Sequence, residues 1–137
     1  MGIFKKEFKI CCPIEGKVSP LEYCPDEVFS KGMTGEGVVI FPTGNIVYAP
    51  YDCKVEFIFE AKHAIALKGR GFKVFVEAGK NVKQGDKLIE FDTMILKKYH
   101  CIDATPFVFT NLNRRDITVD QYGMVAAKSP FITIERK

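Results

Sequence analysis

The chain of 137 residues holds two histidines and five cysteines, and these are the side chains whose chemistry could be exceptional. His63 lies in Lys62-His63-Ala64-Ile65 and His100 in Tyr99-His100-Cys101. An imidazole can serve as nucleophile, proton carrier or metal ligand, but each role needs a second positioned group. Zinc takes three or four ligands, more than His63 and a carboxylate can supply, so neither a metal nor any other cofactor is expected. The two histidines stand in unrelated contexts, which also excludes a zinc hydrolase built on several His and Asp ligands. Cys11, Cys12, Cys24, Cys53 and Cys101 are odd in number and form no C-x-x-C pair. Free thiols in a reducing compartment are expected in place of disulfides or a zinc ribbon.

Composition narrows the class of protein that must position these groups. With 47% apolar and 27% charged residues the chain is neither disordered nor fibrous. Its length suits one domain over 1–137, with residues 1–9 as an N-terminal segment. No apolar run approaches the roughly eighteen residues of a membrane span. The opening Met1-Gly2-Ile3-Phe4-Lys5-Lys6 lacks a secretory stretch, and Lys6 stands where a myristoylation signal wants Ser or Thr. A cytoplasmic protein without stable membrane insertion is expected. The net charge of +3 is scattered, with Lys5-Lys6, Lys97-Lys98 and Arg114-Arg115 as the basic doublets. No basic stripe interleaved with aromatics emerges, so nucleic acid is not an expected partner.

Turn signals punctuate the chain at Pro13–Gly16, Pro42–Asn45, Pro50–Cys53, Lys68–Gly71 and Gln84–Asp86. Between them run Val38–Phe41, Val55–Phe59, Phe72–Val76, Leu88–Phe91, Phe107–Thr110 and Phe131–Ile134, rich in β-branched and aromatic residues. Short helical turns are predicted after Asp26 and over Met94–Tyr99, the second capped by Asp92 or Thr93. The spacing predicts an all-β chain.

An internal repeat sharpens this. Ile10-Cys11-Cys12-Pro13-Ile14-Glu15-Gly16-Lys17-Val18 aligns with Val47-Tyr48-Ala49-Pro50-Tyr51-Asp52-Cys53-Lys54-Val55. Each copy reads as strand, Pro-initiated turn, strand. Cys12 falls opposite Ala49 and Cys53 opposite Gly16, so both cysteines are expected to fill small-residue slots. A third unit, Val76 to Leu88, has the cadence V-x-x-G-x-x-V-x-x-G-D-x-L, which resembles biotinyl and lipoyl carrier domains. The modifiable lysine of those carriers has no counterpart, because Glu90-Phe91-Asp92-Thr93-Met94 follows.

Taken in order, further segments resemble the glucose-type enzyme IIA family of the bacterial phosphoenolpyruvate-dependent sugar phosphotransferase system. They include Cys24-Pro25-Asp26-Glu27-Val28-Phe29-Ser30, Gly35 to Asn45, Ala49-Pro50-Tyr51-Asp52 and Phe59-Glu60-Ala61-Lys62-His63-Ala64-Ile65. Gly71-Phe72-Lys73, Val82 to Asp92, Thr105-Pro106, Thr110-Asn111 and Gly123-Met124-Val125 continue the match. The resemblance implies a duplicated barrel-sandwich hybrid, shortened here by two strands. It also implies a phosphoryl relay in which a histidine takes the group from the histidine phosphocarrier protein and passes it to a sugar permease IIB domain.

His63 matches the family's non-acceptor histidine, but the threonine before it is replaced by Ala61, which cannot donate a hydrogen bond. The family continues through G-V-E-L-L-I-H-I-G before G-x-G-F, whereas Leu67-Lys68 runs straight into Gly69-Arg70-Gly71-Phe72. About twenty residues of the pattern, two strands' worth, are absent with the acceptor histidine. In a second register Gly71 to Gly79 mimics the lost segment and places Glu77 at the acceptor position, where a carboxylate could imitate a phosphorylated charge. Val38, Ile40, Phe59 and Ile65 match the family's apolar docking face, although all four could equally be core. The expected function is an enzyme IIA-like binding or regulatory module impaired in phosphoryl transfer. Two alternatives stand beside it: a working phosphocarrier, and a shortened scaffold without partners. Unpaired edges left by the lost strands would invite pairing with a second copy.

Overall fold

The computed structural model describes residues 6–55, 72–77, 79–98 and 103–136. Among the described residues twelve strands carry the architecture. They are β1 (Lys6–Cys11), β2 (Gly16–Pro20), β3 (Glu36–Pro42), β4 (Ile46–Tyr48), β5 (Cys53–Lys54), β6 (Phe72–Val74), β7 (Asn81–Val82), β8 (Lys87–Phe91), β9 (Thr105–Phe109), β10 (Ile117–Val119), β11 (Gly123–Val125) and β12 (Pro130–Arg136). Two helices, α1 (Glu27–Ser30) and α2 (Thr93–Lys98), and two 3-10 turns at 21–23 and 114–116 complete the described elements.

The strands divide among four open antiparallel sheets, ordered β1-β12-β10, β11-β2-β3-β9, β4-β8-β6 and β5-β7. This corrects the all-β, duplicated barrel-sandwich expectation. Helix stands beside strand, and among the described residues no sheet closes on itself. The helices exist because each has a carboxylate to satisfy its first free N–H groups. Asp26 accepts from Val28 N at 2.9 Å, and Asp92 from Met94 N at 2.9 Å and Ile95 N at 3.2 Å. The ladders stay short because bulges interrupt them between Ile10 and Cys11 and between Val47 and Tyr48.

Those bulges fall at equivalent places in the internal repeat, and the equivalence extends through the backbone. Cys11 N donates to Pro50 O at 2.9 Å while Tyr48 N donates to Pro13 O at 2.7 Å, a reciprocal pair between matching residues. Lys128 N bonds to Cys12 O and Gly85 N to Ala49 O, both at 2.9 Å. Gly16 pairs with Val125 as Cys53 pairs with Val82. Asp120 N reaches Phe131 O at 2.8 Å as Phe75 N reaches Leu88 O at 2.9 Å. Two units therefore interlock about an approximate two-fold: β1, β2, β10, β11 and β12 form one, and β4 to β8 the other.

The main core lies under the first unit. Cys12, Ile14, Val18, Val38, Ile40, Phe131 and Ile132 are sealed from solvent there. Residue Val39 faces the other way into a smaller cluster with Leu21 and Cys24, roofed by Phe29, Phe41 and Val108. The segment between β2 and β3 thus covers the second face of their sheet and fixes where α1 sits.

Candidate docking site

The surface over that smaller cluster combines apolar and acidic side chains. On and after α1, Val28 is 47% and Met33 73% exposed, and Tyr23 on the preceding turn is 63% exposed. Phe29, between them, turns inward to the Leu21–Val39 cluster and anchors the helix. Glu22, Asp26, Glu27 and Glu36, in the same segment, are all exposed. Lys31 is tied to Glu27 at 3.4 Å along the helix. Beside this surface a cleft of about 400 Å³ is walled by Leu21, Glu22, Lys31, Glu36, Arg114 and Tyr122, among others. Grouped exposed apolar side chains with a charged rim are the composition of a protein contact, not of a reaction centre.

The residues expected from sequence fall elsewhere. Val38 and Ile40 lie on β3 between β2 and β9, and both are completely buried in the main core. They offer nothing to a partner. His63, His100, Phe59 and Ile65 lie outside the described residues. Glu77 is exposed just after β6, and its carbonyl accepts from Lys80 N at 3.3 Å. It shares the wall of an open cleft of about 670 Å³ with Phe75, Lys80, Asp86 and Lys87. Among the described residues no three His, Cys, Asp or Glu side chains converge as metal ligands would.

Three of the described cysteines are poor candidates for a nucleophile. Cys12 is fully buried, donates its thiol to Ile14 O at 3.1 Å, and burial pushes its pKa up to about 11. Burial also raises Cys11, and burial with the neighbouring Asp52 charge raises Cys53. Each is further from the reactive thiolate than a free cysteine. Cys12 fills a small slot, as the repeat implies. Cys53 is exposed, so its position imposes no such limit.

Two comparisons with known proteins place the chain in a family. The family pattern of the phosphoenolpyruvate-dependent sugar phosphotransferase system, EIIA 1, matches residues 8–69 and 65–115. Among solved structures, the glucose permease IIA from Mycoplasma capricolum is 29% identical with a TM-score of 0.82, over 97% of this chain and 99% of that one. The chain belongs to the EIIA 1 family of the sugar phosphotransferase system. No helix among the described residues is long and apolar enough to cross a membrane.

Proposed function

We propose that this chain is an enzyme IIA-type component that acts by docking, with phosphoryl transfer impaired. The observation that carries this reading is the histidine inventory set against the family match. The chain has only His63 and His100, while the two matched stretches share residues 65–69. Two ends of a pattern overlap in this way when the chain between them is short. Our reading is that the interior of the pattern, where the acceptor histidine belongs, is the part that is shortened. A relay needs a neutral imidazole placed in line with the donor, with polar groups around the phosphoryl oxygens. His63, preceded by Ala61, supplies one imidazole without its companion.

Docking needs less. Val28, Met33 and Tyr23 supply its exposed apolar side chains, and Phe59 and Ile65 match the family's apolar docking face by sequence. Glu77, offered as a fixed negative charge, is the candidate stand-in for the phosphorylated state. The partners are the histidine phosphocarrier protein and a sugar permease IIB domain, met in the cytoplasm.

The test is an intact-mass assay with phosphoenolpyruvate, the general phosphotransferase enzyme and the histidine phosphocarrier protein. No acid-labile gain of about 80 Da is expected, while a longer family member is labelled in parallel. A gain that disappears in His63→Gln or His100→Gln would restore the working phosphocarrier.

A further inference from the structure

The second unit carries a surface that is the chemical inverse of the α1 face. Phe75 follows β6 and is 39% exposed, an aromatic ring facing solvent. The ammonium of Lys73 lies 5.2 Å and that of Lys87 5.9 Å from its centroid. Two cations on one ring repel each other, and no carboxylate pairs with either among the described residues. Lys80 lines the adjoining cleft, and Lys83 lies on the same turn-and-strand segment. Of the two acids there, Asp86 is engaged by Lys83 N at 2.9 Å. The balance over 73–87 is basic, with an apolar group at its centre.

The α1 face reverses this order. Val28 and Met33 are exposed, and the same segment carries the exposed acids Glu22, Asp26, Glu27 and Glu36 against the single base Lys31, which pairs with Glu27. Glu22 and Glu36 have no ion-pair partner among the described residues, although Lys31 and Arg114 line the cleft they share. A basic segment with an aromatic anchor complements an acidic segment with exposed apolar side chains, in charge and in desolvation.

We infer that the Phe75 surface of one molecule docks on the α1 face of a second copy. The contact is head-to-tail, so the dimer keeps one free face of each kind, one on each copy, and growth beyond a dimer follows. It also places the self-contact on the surface proposed for partner docking. The inference rests on the α1 face being a docking surface. Its test needs only the purified chain, so failure here and failure of the phosphotransfer reading are separate results.

The experiment is sedimentation velocity across protein concentrations, at about 0.05 M and about 0.5 M salt, which changes the screening length severalfold. The average mass should rise with concentration at low salt and fall back to monomer at high salt. Lys73→Glu/Lys87→Glu and Glu22→Lys/Glu36→Lys should each weaken self-association by about tenfold or more, with melting temperatures confirming that both fold. An equimolar mixture of the two variants should regain self-association, because the two intact faces can pair and the two reversed faces are again opposite in charge. A wild-type chain monomeric at low salt, self-association that survives either reversal, or a mixture that fails to pair would overturn the inference.

Discussion

Phe131 on β12 and Leu88 on β8 occupy matching places in the two interlocked units, each accepting a backbone hydrogen bond from the strand beside it. Phe131 is sealed from solvent and touches Phe107, whereas Leu88 is only half-buried. The neighbouring strands differ in chemistry instead. Asp120 in the first unit joins a partly buried polar network in which Lys9 donates to Thr133 at 2.7 Å and Thr133 to Asp120 at 2.6 Å. Its counterpart Phe75 stands at the surface between two lysines. One backbone frame has been used twice, once to build a core and once to present a surface. Hydrogen-bond geometry was duplicated, and side-chain work was divided.

Substitutions at matched positions test that division. The largest contrast should come from Phe131→Ala, which empties a sealed site and costs about 3–5 kcal/mol, against about 1–2 kcal/mol for Leu88→Ala. Urea midpoints of the two variants measure it, and equal losses would break the division of labour. Next is Gly16→Ala. A Cβ there would lie 2.5 Å from Phe41 O and 2.7 Å from Pro42 Cα, both backbone atoms that cannot swing aside. A loss of about 2–3 kcal/mol is expected, while Cys53→Ala at the matching position should change stability by less than about 0.5 kcal/mol.

A pH comparison isolates Cys12 from its counterpart Ala49. The folded state raises the thiol pKa from 9.0 to about 11, so the unfolded chain ionises first. The neutral thiol is kept by folding, and its contribution is complete below pH 9. It is lost as pH rises from 9 towards 11, by roughly 2–3 kcal/mol in all. Wild type should therefore lose stability relative to Cys12→Ala between pH 8 and pH 10.5 in parallel denaturation curves. Parallel pH profiles would mean that the buried slot tolerates the thiolate.

The smallest effect belongs to Lys128. Among the described residues it is the non-glycine residue with positive φ, +70°, and its counterpart is Gly85 at +90°. Lys128→Gly relieves a left-handed backbone worth about 1–2 kcal/mol but gives up the ammonium held 4.5 Å above the Tyr48 ring. A net gain below about 1 kcal/mol should appear in thermal melts, and Gly85→Ala should instead destabilise.

Much of the frame could be read from residue order. The Pro-led turns, the repeat and the Asp92 cap on α2 were visible because each is a local signal. Strand β1 was not, and residues 6–9 read as an N-terminal segment. Its partner β12 lies at the other end of the chain, with Lys6 opposite Arg136, and no local pattern encodes that pairing. The mixed character of the fold was missed for a related reason. Capped segments as short as α1 weigh little in a pattern dominated by strands, yet α1 defines the candidate site.

Val38 and Ile40, left open between docking face and core by their sequence, are instructive. Val38, Val39 and Ile40 are consecutive and all completely buried. An unbroken apolar run, unlike an alternating one, signals a strand covered on both faces. That signal was present and argued for core. Val28 and Met33 carried no equivalent mark, since a single helical turn is too short to show a period.

The reciprocal bonds between Cys11 and Pro50 and between Tyr48 and Pro13 also bear on how the chain reaches its fold. The first unit draws β1 and β2 from one end of the chain and β10 to β12 from the other, with the second unit threaded between. Loop closure over most of the chain must therefore precede the pairing of β1 with β12. Chains dominated by such distant contacts fold in about milliseconds to seconds, far slower than helical bundles. A nascent chain can complete the inner unit before its last strands emerge, but the outer unit, with its core and the sheet that supports α1, must wait for them.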